Sequence, residues 1–245
     1  ESAYRLYIDS EFMASGGVVS DTQASAKPEY HTGIVKIPDG LKTFSITLQV
    51  SNYHSSWGGL WAPLILGDSD SLYIIKRDKV ALSMFILGAL LISIIHSLIQ
   101  FYLRPADNIP LVFACLCLLL FLREFTVEHM NFALSAFSGG FVLITKLNFL
   151  SFYAGIPTAL YFFDLCYPRV FHRKFCLVVY SVCVVFAAFI LLFPTRYFGI
   201  SANLFQVIAL LVMLYMLQRL WVAVRIKQRG AGVMMIGSLI AFAFA

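Results

Sequence analysis

The fold is decided by residues 80–103, which read VALSMFILGALLISIIHSLIQFYL. The run contains no Asp, Glu, Lys or Arg, and it ends at Arg104-Pro105. As an α-helix, which rises about 1.5 Å per residue, it is long enough to cross the roughly 30 Å hydrocarbon core of a bilayer. The stretch therefore predicts a transmembrane helix.

Five further hydrophobic runs follow this one, separated by short connections. They cover about residues 109–127, 141–167, 175–193, 202–224 and 231–245. Short connections between membrane-spanning helices place successive helices antiparallel and side by side. We therefore predict an all-α transmembrane bundle over residues 80–245, with six spans visible and a seventh expected after Ala245.

The composition agrees with a membrane protein and shows where the charge lies. Hydrophobic residues make up 60% of the chain and charged residues 13%, with a mean hydropathy of +0.83, whereas soluble domains carry about 25% charged residues. Residues 1–79 have a net charge of −2 and residues 80–245 a net charge of +7. The positive charges do not form a basic stripe with interleaved aromatic residues, so we expect no nucleic-acid partner.

The basic residues also predict an orientation. With the N-terminus outside, the inner connections carry seven Lys or Arg and the outer connections, with the residues just before the first span, carry four. The positive-inside rule therefore favours an extracytoplasmic N-terminal part in a multi-pass protein of the cell (inner) membrane.

Residues 1–75 show the alternation and turn residues typical of β-strands. We predict strands at residues 4–9, 33–37 and 43–50, and in the last of these Phe44, Ile46, Leu48 and Val50 share one face. All five cysteines lie after residue 80, so no disulfide framework is expected in this part. The prediction is an incomplete β-sandwich segment, with earlier strands expected before Glu1.

Five ionisable side chains fall within predicted spans, where a charge is costly unless it is paired or hydrated. They are His96, Arg123, Glu124, Lys146 and Asp164. We expect His96 to bond a neighbouring helix and Asp164 to pair with Arg169 and the nearby basic loop. The similar depth of Glu124 and Lys146 makes an ion pair between their helices geometrically possible. The alternative is that these residues form part of a ligand or switch site.

Residues 48–67 read LQVSNYHSSWGGLWAPLILG and carry the candidate ligand-binding side chains Asn52, His54, Trp57 and Trp61. Amide groups bond hydroxyls and an indole face stacks on a sugar ring, so this loop predicts carbohydrate binding. The competing interpretation is that Trp61 belongs to the core and Asn52 caps a turn.

This stretch resembles the end of the extracytoplasmic domain in bacterial seven-transmembrane receptors with diverse intracellular signalling modules. The shared features are a strand ending in Val50-Ser51-Asn52, the Gly58-Gly59 turn, and an apolar segment ending at Gly67 shortly before the first span. Tyr7-Ile8 also resembles a hairpin of that family, with Asp9 and Ser10 in place of Asn-Gly. The resemblance implies a jelly-roll-like periplasmic sensor domain, a seven-helix membrane region and a cytoplasmic output module after it.

The predicted function is that of a transmembrane sensory receptor fragment, which detects an extracytoplasmic ligand and relays its binding to the output module. No catalytic, cofactor or metal motif is visible, so we expect no enzyme activity in this fragment. The expected partners are the lipid bilayer and a small-molecule or carbohydrate ligand, with a homodimer as the oligomeric option. The alternative functions are a transporter or membrane-embedded enzyme with a periplasmic cap, and a partner-binding membrane subunit.

Overall fold

The computed structural model describes residues 3–29, 33–38, 40, 43–55, 64–126 and 140–243. A small antiparallel sheet comes first and apolar helices follow, so the predicted fold class, an N-terminal sheet before an all-α membrane bundle, is confirmed. The described strands are β1 (Ala3–Ile8), β2 (Glu11–Gly16) and β3 (Ile46–Ser51).

The sheet has the strand order β2-β1-β3, with β1 antiparallel to both neighbours. In the pairing of β1 with β3, Leu6 lies opposite Leu48 and Ile8 opposite Ile46. Ile8 is buried, whereas Ile46 and Val50 are 48% and 40% exposed. A second sheet is not found among the described residues, so the jelly-roll-like sandwich stays a prediction.

Two details of the sheet region differ from the predicted strands. The strand predicted at residues 33–37 is wrong, because the described residues 33–38 have no regular secondary structure. The second strand, β2, was not predicted separately; it follows the two-residue turn at Asp9 and Ser10, whose φ angles are 47° and 71°. Positive φ at both central residues is the requirement of a type I′ hairpin turn.

The described residues form six α-helices, joined in one place by the short 3₁₀ helix Thr195–Tyr197. The α-helices are α1 (Ser69–Leu103), α2 (Ile109–Phe125), α3 (Gly140–Cys166), α4 (Arg173–Leu192), α5 (Phe198–Arg225) and α6 (Ala231–Ala243).

Four of the described helices are long and apolar enough to cross a membrane, namely α1, α3, α4 and the segment that joins Thr195 to the end of α5. The described parts of α2 and α6 are apolar but shorter, at 17 and 13 residues. Large apolar side chains on the long helices are exposed, such as Phe85 at 74% and Ile92 at 70%, both on α1. Such faces are stable only when lipid or protein covers them.

The chain divides into two compact units, each with its own contacts. The sheet unit consists of Glu1–Gly88, Leu122–Asn148 and Phe193–Ile200. The helix unit consists of Ala89–Phe121, Phe149–Leu192 and Ser201–Ala245. The sheet unit thus combines the strands with the helix ends and the α4–α5 connection that adjoin them in the fold.

Aromatic packing around Tyr153 forms the centre of the helix unit. The ring of Tyr153 is fully buried and lies 4.3 Å from the ring of Phe205 and 5.5 Å from that of Phe186. Its hydroxyl forms a 3.0 Å hydrogen bond with Ser201 Oγ. Because Tyr153 is on α3, Phe186 on α4 and Phe205 on α5, this single side chain ties three helices together.

Candidate functional site

The loop that follows β3 holds two of the four predicted ligand-binding residues. Asn52 and His54 are both half-buried in this loop, which is anchored by the Tyr53 hydroxyl donating to the backbone oxygen of Asp21 at 2.6 Å. Trp57 and Trp61, the other two candidates, lie outside the described residues. The structure therefore places half of the predicted ligand-binding residues in one ordered loop.

The same loop is bonded to the connection between α4 and α5. The hydroxyl of Thr195 donates to the backbone oxygen of His54 at 2.6 Å, across 141 positions of sequence. Thr195 is only 7% exposed and begins the 3₁₀ helix, which continues directly into α5. The His54 ring nitrogen Nδ1 is also buried, and it has no hydrogen-bond partner among the described residues.

Polar side chains also connect α1, α2 and α3 within the sheet unit. Ser83 on α1, which is 2% exposed, donates to the carboxylate of Glu124 on α2. The amide of Asn148 on α3 donates to the hydroxyl of Thr126, just after α2, at 3.1 Å. In a bilayer such bonds between helices replace bonds that water cannot provide, so these contacts hold the three helix ends together.

The Glu124 carboxylate makes a contact other than the pair with Lys146 that depth allows. In the described part of the chain, the Glu124 carboxylate bonds Ser83 and is not in ion-pair contact with Lys146. Arg123, adjacent to Glu124, is close enough for their charges to attract each other. Glu124 on α2 and Lys146 on α3 lie at similar depth, which allows a pair between them. The observed partner of Glu124 is instead Ser83, on α1.

His96 has a partner in its own helix rather than in a neighbouring one. Its Nε2 lies 2.7 Å from the side-chain nitrogen of Gln100, one turn further along α1, and the residue is exposed. The spacing of four residues places both side chains on the same face. The structure therefore shows a contact of His96 within α1, and not the predicted contact with a neighbouring helix.

The predicted pair between Asp164 and Arg169 is not formed among the described residues. Asp164 lies close enough to Cys176 and Tyr180 of α4 to interact with them electrostatically.

Sequence reasoning missed several residues that the structure brings forward. Thr195 and Ser83 carry no charge, and hydroxyls are common in membrane helices, so nothing in one sequence distinguishes them. Tyr180, whose hydroxyl is buried, and Arg219, whose guanidinium lies 5.2 Å from the Tyr215 ring, were also missed. Arg219 had a usable signal, because it is an arginine inside the hydrophobic run at residues 202–224.

The described residues contain no group of three or more His, Cys, Asp or Glu side chains placed to hold a metal ion. The candidate features are the half-buried loop bonded to Thr195, the polar contacts among α1, α2 and α3, and the aromatic centre around Tyr153.

Comparison with known proteins identifies the membrane region. The model of the family described as 7TM diverse intracellular signalling matches residues 79–245, which is more than half of the chain. No curated protein and no solved structure shows significant similarity to the chain. The match confirms the family that the sequence suggested, and it covers the helices rather than residues 48–67. The chain belongs to the 7TM diverse intracellular signalling family.

Proposed function

We propose that the chain is the input and membrane part of a sensory receptor, in which an extracytoplasmic ligand bound near the β3 loop changes the packing of the helices. In this proposal the N-terminal sheet lies outside the inner membrane and catalysis belongs to an output module after the membrane region. Family membership supports a signalling role, and the predicted orientation supports an outer position for the sheet.

The hydrogen bond from Thr195 to His54 is the observation that carries this proposal. It joins the loop that bears the candidate ligand residues to the turn that starts α5. The Ser201 hydroxyl, near the start of α5, bonds Tyr153 at the aromatic centre of the helix unit. A ligand that favours one loop arrangement therefore has a route through bonded groups to the helices, and its differential affinity sets the size of the shift.

The proposed ligand is a carbohydrate. The support is chemical, because Asn52 and His54 offer hydrogen-bonding groups and Trp57 and Trp61 offer stacking surfaces in the same loop sequence. The chain contains three tryptophans, and two of them are these candidates. Tryptophan fluorescence therefore reports mainly on the proposed site.

The binding test uses the full chain in lipid nanodiscs, titrated with maltose, cellobiose and chitobiose. We expect a saturable fluorescence change with at least one of these disaccharides. The change should persist in Trp221→Phe, whose tryptophan is on α5, and Asn52→Ala should weaken binding about tenfold, the equivalent of about 1.4 kcal/mol. Absence of saturable change with all three sugars would overturn the carbohydrate assignment.

The relay test compares two variants of Thr195. Thr195→Val keeps the shape of the side chain but removes the hydroxyl that donates to His54, whereas Thr195→Ser keeps that hydroxyl. Hydrogen–deuterium exchange is measured with and without the sugar that binds. In the wild type and in Thr195→Ser we expect protection in residues 46–54 together with 193–200. In Thr195→Val only residues 46–54 should respond; equal responses in both variants would contradict the relay.

A further inference from the structure

Two segments of the helix unit carry seven basic side chains and no acidic ones. Residues 167–174 contain the α3–α4 connection and the start of α4, and residues 219–231 contain the end of α5 and the α5–α6 connection. The seven basic residues are Arg169, Arg173, Lys174, Arg219, Arg225, Lys227 and Arg229. Six of them are exposed, and Arg219 is half-buried.

Side-chain contacts bring these two segments together. The Tyr215 hydroxyl of α5 accepts a hydrogen bond from the backbone N–H of His172 at 2.9 Å, and the Tyr215 ring lies 3.9 Å from the Phe175 ring on α4. Gly230 lies so near the Tyr167 hydroxyl that an added Cβ would be 3.9 Å from it. The two connections therefore adjoin each other, and we call residues 167–174 and 219–231 together the basic end of the helix unit.

Arg219 lies deeper in its helix than the other six basic residues lie in theirs. It comes six residues before Arg225, the last residue of α5, which is about 9 Å along the helix axis. Its guanidinium carbon lies 5.2 Å from the centre of the Tyr215 ring. The Nε atom is buried and the two terminal NH₂ groups are accessible, and none of the three has a hydrogen-bond or ion-pair partner among the described residues.

A cation at this depth in a membrane helix requires a counter-charge or a path to the polar boundary. Asp164, the acidic residue nearest to the basic end in sequence, forms no ion pair with it in the described part of the chain. Trp221 marks the boundary, because tryptophan is enriched at the headgroup level, and the Arg225 guanidinium lies 3.6 Å from its ring. The counter-charge present at that level is the lipid phosphate, which a guanidinium binds through two parallel hydrogen bonds.

Two of the exposed basic residues occupy turns with an unusual backbone. Arg169 and Lys227 have φ angles of 74° and 56°, a region that glycine adopts without steric cost. The chain thus carries a positive charge at two positions where the backbone favours glycine. A cation just after a helix is favourable by itself, because it complements the helix dipole, and stability measurements separate that contribution from ligand binding.

We propose that the basic end binds the phosphate of an anionic phospholipid, with Arg219 as the anchor and the exposed cations of the two connections as the attracting charge. Acyl chains find apolar surface beside it, because Leu177 and Val178 on α4 and Leu214 on α5 are 55%, 61% and 55% exposed. Such a lipid would join α4 to α5 and make the helix unit responsive to membrane composition. The inference requires only that the helices span a bilayer, so it does not rest on the carbohydrate site.

The test measures quenching of Trp221, which lies beside Arg225. The full chain with Trp57→Phe and Trp61→Phe retains Trp221 as its single tryptophan, and it is placed in phosphatidylcholine nanodiscs that contain a minor fraction of brominated lipid. We expect brominated phosphatidylglycerol to associate about fivefold more strongly than brominated phosphatidylcholine. Equal quenching by the two lipids would overturn the proposal and leave the basic end to an acidic protein partner.

Substitutions of Arg219 test its role as the anchor. Arg219→Gln should reduce the preference for phosphatidylglycerol about fivefold, because it removes the charge, and Arg219→Lys should reduce it less, because it loses only the two parallel bonds. The matched control is Arg196→Gln, since Arg196 precedes α5 and its guanidinium lies 4.6 Å from the Tyr197 ring. Arg196→Gln should keep the wild-type preference. An unchanged preference in Arg219→Gln, or an equal loss in Arg196→Gln, would overturn the role of Arg219.

Two glycine variants keep the test independent of any folding defect in Arg219→Gln. Arg169→Gly and Lys227→Gly relieve the positive φ, so the protein should unfold at the same temperature as the wild type or a higher one. Each should nevertheless weaken the preference for phosphatidylglycerol, because each removes one attracting charge. A full preference in both glycine variants would contradict the contribution of the two connections.

Discussion

Asp9 performs two tasks at the first hairpin of the sheet. Its backbone adopts a positive φ of 47°, as the turn between β1 and β2 requires. Its carboxylate accepts hydrogen bonds from the backbone nitrogen of Ser45 at 2.7 Å and from the Ser45 hydroxyl at 3.1 Å. The residue therefore fixes both the turn and the start of the third strand.

Substitutions at the turn should separate these two tasks. Asp9→Ala loses the acceptor and should lower the local free energy of unfolding by about 1–2 kcal/mol, because two hydrogen bonds disappear. Asp9→Asn keeps an acceptor and tolerates positive φ, so it should cost less. Hydrogen–deuterium exchange of peptides covering residues 43–51 measures the difference.

Ser10→Gly provides the control of opposite sign. Ser10 has a φ of 71°, which glycine adopts without steric cost, so this change should slow exchange in the same peptides. Faster exchange in Ser10→Gly, or identical exchange in Asp9→Ala and Asp9→Asn, would contradict this account of the turn.

The hairpin also shows how far sequence reasoning reaches at the level of single residues. Asp9 and Ser10 stand where the family resemblance has Asn-Gly, and the structure gives them the backbone that Asn-Gly would adopt. Composition could not reveal this, because serine is a common residue outside turns. The bond from Thr195 to His54 was equally out of reach, since no local pattern links positions so far apart.

Among the elements, the polar contacts between α1, α2 and α3 deserve a quantitative test. A double-mutant cycle on Ser83→Ala and Glu124→Gln should give a coupling energy of roughly 0.5–2 kcal/mol, in the range of hydrogen bonds between membrane helices. Thermal or denaturant unfolding in bicelles supplies the four stabilities. We expect Ser83→Ala to be destabilising, because it leaves the Glu124 carboxylate without its donor.

Ser93→Ala is the matched control on the same helix. The Ser93 hydroxyl donates to the backbone oxygen of Ala89 in α1 itself, at 2.8 Å, so this hydrogen bond does not join two helices. Ser93→Ala should lower the free energy of unfolding only slightly, and its effect should be additive with that of Glu124→Gln. Similar losses in Ser83→Ala and Ser93→Ala would show that the Ser83–Glu124 bond contributes little.

The elements also show why the sequence predicted helices better than their partners. Hydrophobic runs mark where α1, α3, α4 and α5 lie, because a bilayer demands both length and apolarity. The same runs say little about azimuth, the direction in which each side chain points around its helix. Depth alone therefore suggested Lys146 for Glu124 and Arg169 for Asp164, whereas Glu124 bonds Ser83 and Asp164 forms no ion pair with Arg169 among the described residues.

For the whole molecule, the distribution of charge predicts on which side of the membrane the N-terminal sheet and the connections between helices lie. We expect Gln23→Cys, in the sheet region, to react with a membrane-impermeant maleimide in intact spheroplasts. Ala106→Cys, between α1 and α2, should react only after lysis. Both positions are exposed in the structure, so accessibility to the reagent depends on the side of the membrane.

The labelling needs a background in which the five native cysteines are replaced by serine or alanine, since Cys115 is itself exposed. Reaction at Ala106→Cys before lysis, with protection at Gln23→Cys, would reverse the orientation. Labelling at both positions would contradict a fixed topology.

The length of α1 has a mechanical consequence for the whole molecule. The helix is continuous over 35 residues, and its uncharged part, residues 80–103, measures roughly 36 Å at about 1.5 Å per residue. This exceeds a typical hydrocarbon core of about 30 Å, so the helix leans or the surrounding lipid stretches to match it. Lys79 and Arg104 bracket the uncharged part and favour the two polar boundaries. A change in bilayer thickness therefore alters the lean of α1, and because the helix is continuous, its charged first turns at residues 69–79 move with the part inside the bilayer.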